Sequence, residues 1–178
     1  MLLQRPRLTR QGTDGSRDFL DHRGVGLGHA VHVEVAGLAA NRDYWYRFVA
    51  GSERSGVGRA RTTPPAGAHV DRVRFAVAGC QHYEGGYYTA HRRMAEDHPD
   101  FVFCYGDYIY EGRGNRLSNG SNGPVENVRQ HFGGEIYSLD DYRRRYAQYK
   151  MDPDLQAAHA AAPWFVIWDD HEIDNNWV

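Results

Sequence analysis

Hydrophobic and polar positions alternate along much of the first third of the chain. Over residues 29–35, Ala30, His32 and Glu34 interleave with Val31, Val33 and Val35, the period of a half-buried strand. The alternation resumes over 44–49 after the turn Ala39-Ala40-Asn41-Arg42-Asp43, and a third short strand is predicted over 57–62 beyond a turn at 51–56. Three short strands with polar turns imply an antiparallel sandwich piece. Residues 1–28, rich in Arg, Gly and Asp, show no sustained period and are expected to be poorly ordered. Residues 64–69 read as a linker.

From residue 73 the pattern changes. An apolar strand over 73–78 runs into Gly79-Cys80-Gln81. A helix is predicted over 87–97, with Tyr87, Ala90 and Met94 on one face, and Pro99 stops it. Residues 101–105 form a second apolar strand that breaks at Gly106 and presents Asp107, Tyr110 and Glu111. Residues 111–137 carry six glycines and no period. Ser138 then caps a helix with acids in its first turn, placing Tyr142, Tyr146 and Tyr149 on one face with Arg143, Arg144 and Arg145 between them. Asp152-Pro153 starts another helix carrying Leu155, Ala158 and Ala162. A third apolar strand over 164–168 opens into Asp169-Asp170-His171-Glu172. Strands alternating with helices predict a parallel sheet with helices covering it, hence an α/β core.

Composition removes several function classes. A hydrophobic share of 41% and a charged share of 25% are those of a globular protein. A formal charge of −2 lacks the concentrated basic surface that nucleic-acid binding requires. No run approaches the ~18 apolar residues of a membrane helix, and the opening MLLQRPRLTRQG is too polar for an export signal. Two cysteines, Cys80 and Cys104, do not make a disulfide framework.

The chemistry gathers at the strand ends. In open α/β sheets, ligands sit beyond the carboxyl ends of the strands. Here those ends are Gly79-Cys80, Gly106-Asp107 and Asp169-Asp170-His171, so metal-capable side chains share one edge. Each has a bland alternative. Cys80 could be a small buried hydrophobe, Tyr110 could simply pack, and Asp170-His171 could be a salt-bridged turn; Cys104, inside a strand, reads as core. A thiolate, a phenolate and two carboxylates together make an anionic cavity that cations would have to neutralise.

Two resemblances sharpen this reading. Leu38 followed by Asp43-Tyr44-Trp45-Tyr46 resembles late strands of an immunoglobulin or fibronectin type III fold, where a corner tyrosine ties a strand to the preceding turn. FAVAGCQHYEGGYYTAHRRM, FVFCYGDYIYEG and LDDYRRRYAQYKMDPDLQAAHAAAPWFVIWDDHEIDNNW together resemble the PhoD family of alkaline phosphatases and phosphodiesterases, within the calcineurin-like metallophosphoesterases. That resemblance implies an α/β fold of the α+β sandwich type. A partial metallophosphoesterase core over 70–178 would be preceded by a partial Ig-like domain over 29–63. It also implies ferric iron, calcium, and hydrolysis of phosphate monoesters and diesters by a secreted or cell-envelope protein. Carried over by motif, Cys80, Asp107 and Tyr110 would hold iron, and Asp107 would bridge to calcium. Asp170 would bind the second metal, His171 would contact the phosphate or protonate the leaving group, and Asp169 and Glu172 would support them. The family's later histidine and aspartate ligands are not in this sequence, so it is expected to be a fragment with little turnover of its own. The alternatives are a non-catalytic metal- or partner-binding fragment and an unstable truncation product.

Overall fold

In a computed structural model, residues 6–10, 18–19, 33–112, 117–118, 124–125 and 127–177 are described. Three strands of the N-terminal sheet, Pro6–Arg10 (β1), Asp18–Phe19 (β2) and Asp43–Ala50 (β3), run in the order β2-β1-β3. Glu53–Arg54 (β4) and Gly58–Arg61 (β5) pair with β3, and every pairing is antiparallel. The predicted strands at 44–49 and 57–62 thus correspond to β3 and β5. Two strands fall in the 1–28 stretch where the sequence shows no period. Backbone pairing to β3, which needs no apolar alternation of its own, puts β1 there. Of the strand predicted over 29–35, residues 29–32 lie outside the described residues and 33–35 are not in a strand. Tyr44 does tie its strand to the preceding turn: its hydroxyl accepts the Ala39 N–H at 2.8 Å.

The second sheet is parallel. Phe75–Ala78 (β6), Phe101–Cys104 (β7) and Trp164–Val166 (β10) lie in the order β10-β7-β6, with the Val77–Phe103 and Phe103–Phe165 pairs in register. Between β7 and β10 the chain forms a two-stranded antiparallel pair, Leu117–Ser118 (β8) with Pro124–Val125 (β9). Among the described residues three α-helices complete the fold: Thr89–Glu96 (α1), Leu139–Lys150 (α2) and Pro153–Ala161 (α3). Ser138 and Asp141 close a reciprocal capping box at the start of α2, and Asp152 caps α3 ahead of Pro153, as the sequence predicts.

One face of the parallel sheet, carrying Ala78, Val102 and Cys104, is buried with Tyr149, Leu155, Ala158 and Ala162 of the helical layer. On α1 the inward residue is His91, not Ala90, and Tyr87 is 66% exposed while Tyr88 is buried. Of the predicted face Met94 packs against the core, while Tyr88 and His91 take the inner places expected for Tyr87 and Ala90, His91 stacking on Trp164 with ring centroids 6.0 Å apart. On α2, Tyr149 is fully buried as predicted, but so is Arg145, which the sequence places between the buried positions.

The opposite face of the sheet is apolar and bare. Phe75, Val77, Phe103 and Phe165 all project from it and are more than a third exposed. Phe101 links them, stacked on Phe75 at 5.4 Å and edge-on to Phe165 at 5.5 Å. Parallel strands are normally covered on both faces. The N-terminal sheet is fastened to the core by Arg59, whose guanidinium pairs with Asp43 at 2.8 Å and donates to the carbonyls of Pro99 and Ala161.

Candidate metal centre

Three turns meet at the carboxyl ends of β6, β7 and β10. The first two are zipped together by their backbones: Cys80 N–H donates to Gly106 O at 3.2 Å and Gln81 N–H to Asp107 O at 3.1 Å. Gly106 is the tight point. Its φ is +124°, and a Cβ there would stand 2.4 Å from Cβ of Asp169 on the third turn. Cys80 and Asp107 both adopt left-handed backbone at φ 50°, a conformation that costs a non-glycine residue about 1–2 kcal/mol. Such strain persists only where the surroundings over-determine it, and it clusters at functional sites.

Glu172 holds the turns in place. Its buried carboxylate accepts the N–H groups of Asp107 at 2.9 Å, Tyr108 at 2.7 Å, Ile109 at 3.2 Å and Asp169 at 2.7 Å. A single anion thus satisfies the turn after β7 and locks it to the turn after β10. Asp169 accepts the Asp170 N–H at 3.0 Å, so it shapes the same turn from its exposed rim.

The side chains this frame presents converge. Ligand-capable atoms of Asp107, Asp170 and His171 all lie within 4.8 Å of one another. The Tyr110 hydroxyl donates to Asp107 Oδ2 at 3.1 Å. The Cys80 thiol interacts with Asp107 and with the hydroxyls of Tyr105 and Tyr110. Cys80 is exposed at the lip, so the alternative of a small buried hydrophobe does not hold for it; Cys104 is the buried one. Desolvation first, slight at the exposed Cys80 and deeper at Tyr110, then the neighbouring Asp107 carboxylate pushes both the Cys80 thiol and the Tyr110 phenol above their ordinary ranges. Asp170 is held below the usual carboxylate range, first by the backbone N–H of Asn176 at 2.6 Å.

His171 is not paired with Asp170 through its ring. Its Nδ1 lies 2.7 Å from Glu111 Oε2. Burial alone would raise the Glu111 carboxyl, but hydrogen bonds from His171, its own backbone and Asn175 outweigh that and hold it low. An ionised carboxylate only accepts, so Nδ1 carries the hydrogen and Nε2 is left free. Glu111 is visible in the sequence beside Tyr110, yet its orienting role depends on a partner 60 residues away. The Tyr110 ring lies between two imidazoles, 4.1 Å from His171 and 4.5 Å from His82.

The donor set fits a cation. Among the described residues the buried Asp107 Oδ1 has no hydrogen-bond partner, while Oδ2 is taken by Tyr110. An unpartnered carboxylate oxygen beside a second carboxylate and an imidazole is a poor arrangement without positive charge and a good one with it. The cleft of about 360 Å³ lined by Arg61, Thr62, Val70, Phe101 and Phe165 lies elsewhere and contains none of these groups.

Comparison with known proteins identifies the family. Residues 75–178 match the family model described as PhoD-like phosphatase, and residues 20–64 match that of the PhoD-like phosphatase N-terminal domain. The chain belongs to the PhoD-like phosphatase family. Among its PhoD-like relatives, alkaline phosphatase D of Bacillus subtilis (strain 168) is 47% identical over 171 residues. That match takes in 96% of this chain and 27% of the relative, so the chain spans about a quarter of its length. A solved structure of PhoD superposes with a TM-score of 0.86 at 44% identity, covering all of this chain and 34% of the other. The mixed α/β architecture is thus shared with PhoD. Among the described residues no helix is long and apolar enough to cross a membrane.

Proposed function

We propose that this chain carries the metal-binding heart of a phosphoesterase that hydrolyses phosphate monoesters and diesters. The convergence of Asp107, Asp170 and His171, with the buried Asp107 Oδ1 unpartnered, is the observation that carries this reading. Cys80, Tyr110 and Asp107 would hold ferric iron, whose high charge suits a phenolate and a thiolate. Asp107 and Asp170 would hold calcium, which takes oxygen ligands. Bound there, the cations would polarise the ester and lower the pKa of an attacking water.

The chain's own groups supply orientation and proton handling. Glu111 holds the His171 ring through Nδ1, so that Nε2, once the ring has taken up a second proton, would contact a phosphate oxygen or give that proton to the departing oxygen. Glu172 keeps the backbone of Asp107 still, so the Asp107 carboxylate would need no rearrangement to hold a cation. Asp169 steadies the turn that presents Asp170 and His171. In this reading residues 70–178 are part of a metallophosphoesterase core, 29–63 part of an Ig-like domain, and the protein works outside the cytoplasm, in secreted or cell-envelope form.

Calcium alone takes six to eight oxygen ligands, water among them, and Asp107 and Asp170 would supply only part of that shell. The 178-residue chain is therefore expected to bind metal while turning over p-nitrophenyl phosphate far more slowly than full-length alkaline phosphatase D. The test is metal content by mass spectrometry, with hydrolysis of p-nitrophenyl phosphate and its bis ester, for the wild type and Asp107→Asn. Stoichiometric iron or calcium that Asp107→Asn abolishes supports the reading; wild-type protein that retains neither ion refutes it. Metal retention with no hydrolysis whatever, even when full-length relatives are active under the same conditions, would favour a non-catalytic binding role.

A further inference from the structure

Tyr110 is held by its backbone from one helix. The Tyr149 hydroxyl accepts the Tyr110 N–H at 3.1 Å, and Nη1 of Arg145, one turn earlier on α2, donates to the Tyr110 carbonyl. Both polar groups of one peptide residue are thus gripped by side chains four positions apart on the same helical face. Arg145 extends the grip along the loop, donating to Gly112 O at 3.2 Å and, through Nη2, to Gly134 O at 2.8 Å. The Tyr149 hydroxyl also accepts from Tyr83 N–H at 3.3 Å and lies 3.0 Å from His131 Nε2. Arg145 and Tyr149 are among the most completely buried side chains of the protein.

Filling a core position does not by itself explain Arg145. Among the described residues its guanidinium makes no ion pair; its partners are three carbonyls and His131 Nδ1, and its Nε has no partner. A buried cation satisfied only by neutral acceptors is costly in desolvation. What the arrangement achieves is placement. With its N–H and C=O held, Tyr110 projects its ring between His82 and His171, with the hydroxyl on Asp107.

We propose that Arg145 and Tyr149 are positioning residues that aim the Tyr110 phenol at the metal-binding turn. This deepens the proposed function and rests on it for its purpose, but the geometry it asserts can be read without metal. The experiment uses the whole 178-residue chain, isotope-labelled and metal-free, as wild type, Tyr149→Phe and Arg145→Lys. Tyr149→Phe keeps the buried ring and removes the hydroxyl that Tyr110, Tyr83 and His131 share; Arg145→Lys keeps the charge and removes the fork that spans three carbonyls. The readouts are the nuclear Overhauser contact between the Tyr110 and His171 rings and the ring-current shift of His171 Cε1–H. The internal control is the His159–Trp164 stack, whose centroids are 4.1 Å apart.

The expected result is loss or averaging of the Tyr110–His171 signals in both variants, with the His159–Trp164 signals unmoved. Should Arg145→Lys fail to fold, Tyr149→Phe decides. Unchanged Tyr110–His171 signals would overturn the proposal, and so would equal loss at the control pair, which would mark a purely structural role. With ferric ion added, affinity should fall about tenfold to a hundredfold in the variants, and the tyrosinate absorption band should weaken. Wild-type protein that shows no such band would count against iron at this site, while the metal-free signals would still judge the positioning role.

Discussion

Glu172→Ala is the most informative single perturbation of the strand-end frame. The carboxylate accepts four backbone N–H groups: three successive donors after β7 and one before the 170–172 turn. Hydrogen bonds to a charged acceptor contribute roughly 1.5–3 kcal/mol each, and losing a buried partner leaves the donors to bear their desolvation. Because the four share one acceptor they do not add, and water entering the truncated site would recover part of the loss. A net destabilisation of about 3–5 kcal/mol is expected, a large share of the ~5–15 kcal/mol that folded domains possess. With a urea slope of about 2 kcal/mol/M, the unfolding midpoint should fall by roughly 1.5–2.5 M. Glu172→Gln should lose about half as much, since one oxygen still accepts while the new amide hydrogens oppose the remaining donors. Urea titration followed by tryptophan fluorescence measures both. A shift below about 0.5 M for the alanine variant would mean that the turn holds itself, and the claim that Glu172 organises the site would be wrong.

Three further outcomes follow from the same coordinates. Gly106→Ala forces a Cβ to within 2.4 Å of Asp169 Cβ at φ +124°, and should cost at least about 2–3 kcal/mol in the same titration. Tyr44→Phe removes the acceptor for the Ala39 N–H in an exposed turn and should cost only about 1 kcal/mol, read as a small midpoint shift. Burial, then the charge of Lys150, depresses the His159 imidazole to about 4. Its folded value lies below the unfolded ~6.5, so its contribution is complete above pH 6.5 and is lost as pH falls toward 4. His159→Gln should therefore flatten the fall in stability between pH 7 and pH 4.5 by on the order of 2 kcal/mol, and an unchanged slope would refute this.

The parts of the molecule written in short-range pattern were legible. The three apolar runs at 73–78, 101–105 and 164–168 became β6, β7 and β10 in parallel register, and the ends of β7 and β10 bring Asp107, Asp170 and His171 together. The caps at Ser138 and Asp152 were equally clear, because capping is decided within four residues. What escaped was whatever depends on a distant partner. Arg145 stands in a run of three arginines that looks solvated, and only the loop carbonyls above α2 show why the third is inside. Arg129, in the glycine-rich loop without a period, pairs with Asp152 at 2.6 Å and lies 3.8 Å over the Tyr83 ring. His91 displaced Ala90 from the inner face of α1 because an imidazole can stack on Trp164, a preference that hydropathy does not register.

The bare side of the parallel sheet has a mechanical consequence. Phe75, Val77, Phe103 and Phe165 belong to the same three strands whose ends present Cys80, Asp107 and Asp170. A sheet braced on one side only is free to flex in twist, and a small change in twist is magnified at the strand tips, where ligand spacing is set. A layer resting on those aromatic rings would therefore do more than hide them from water. It would steady, from behind, how far apart the oxygens of Asp107 and Asp170 and the sulfur of Cys80 stand.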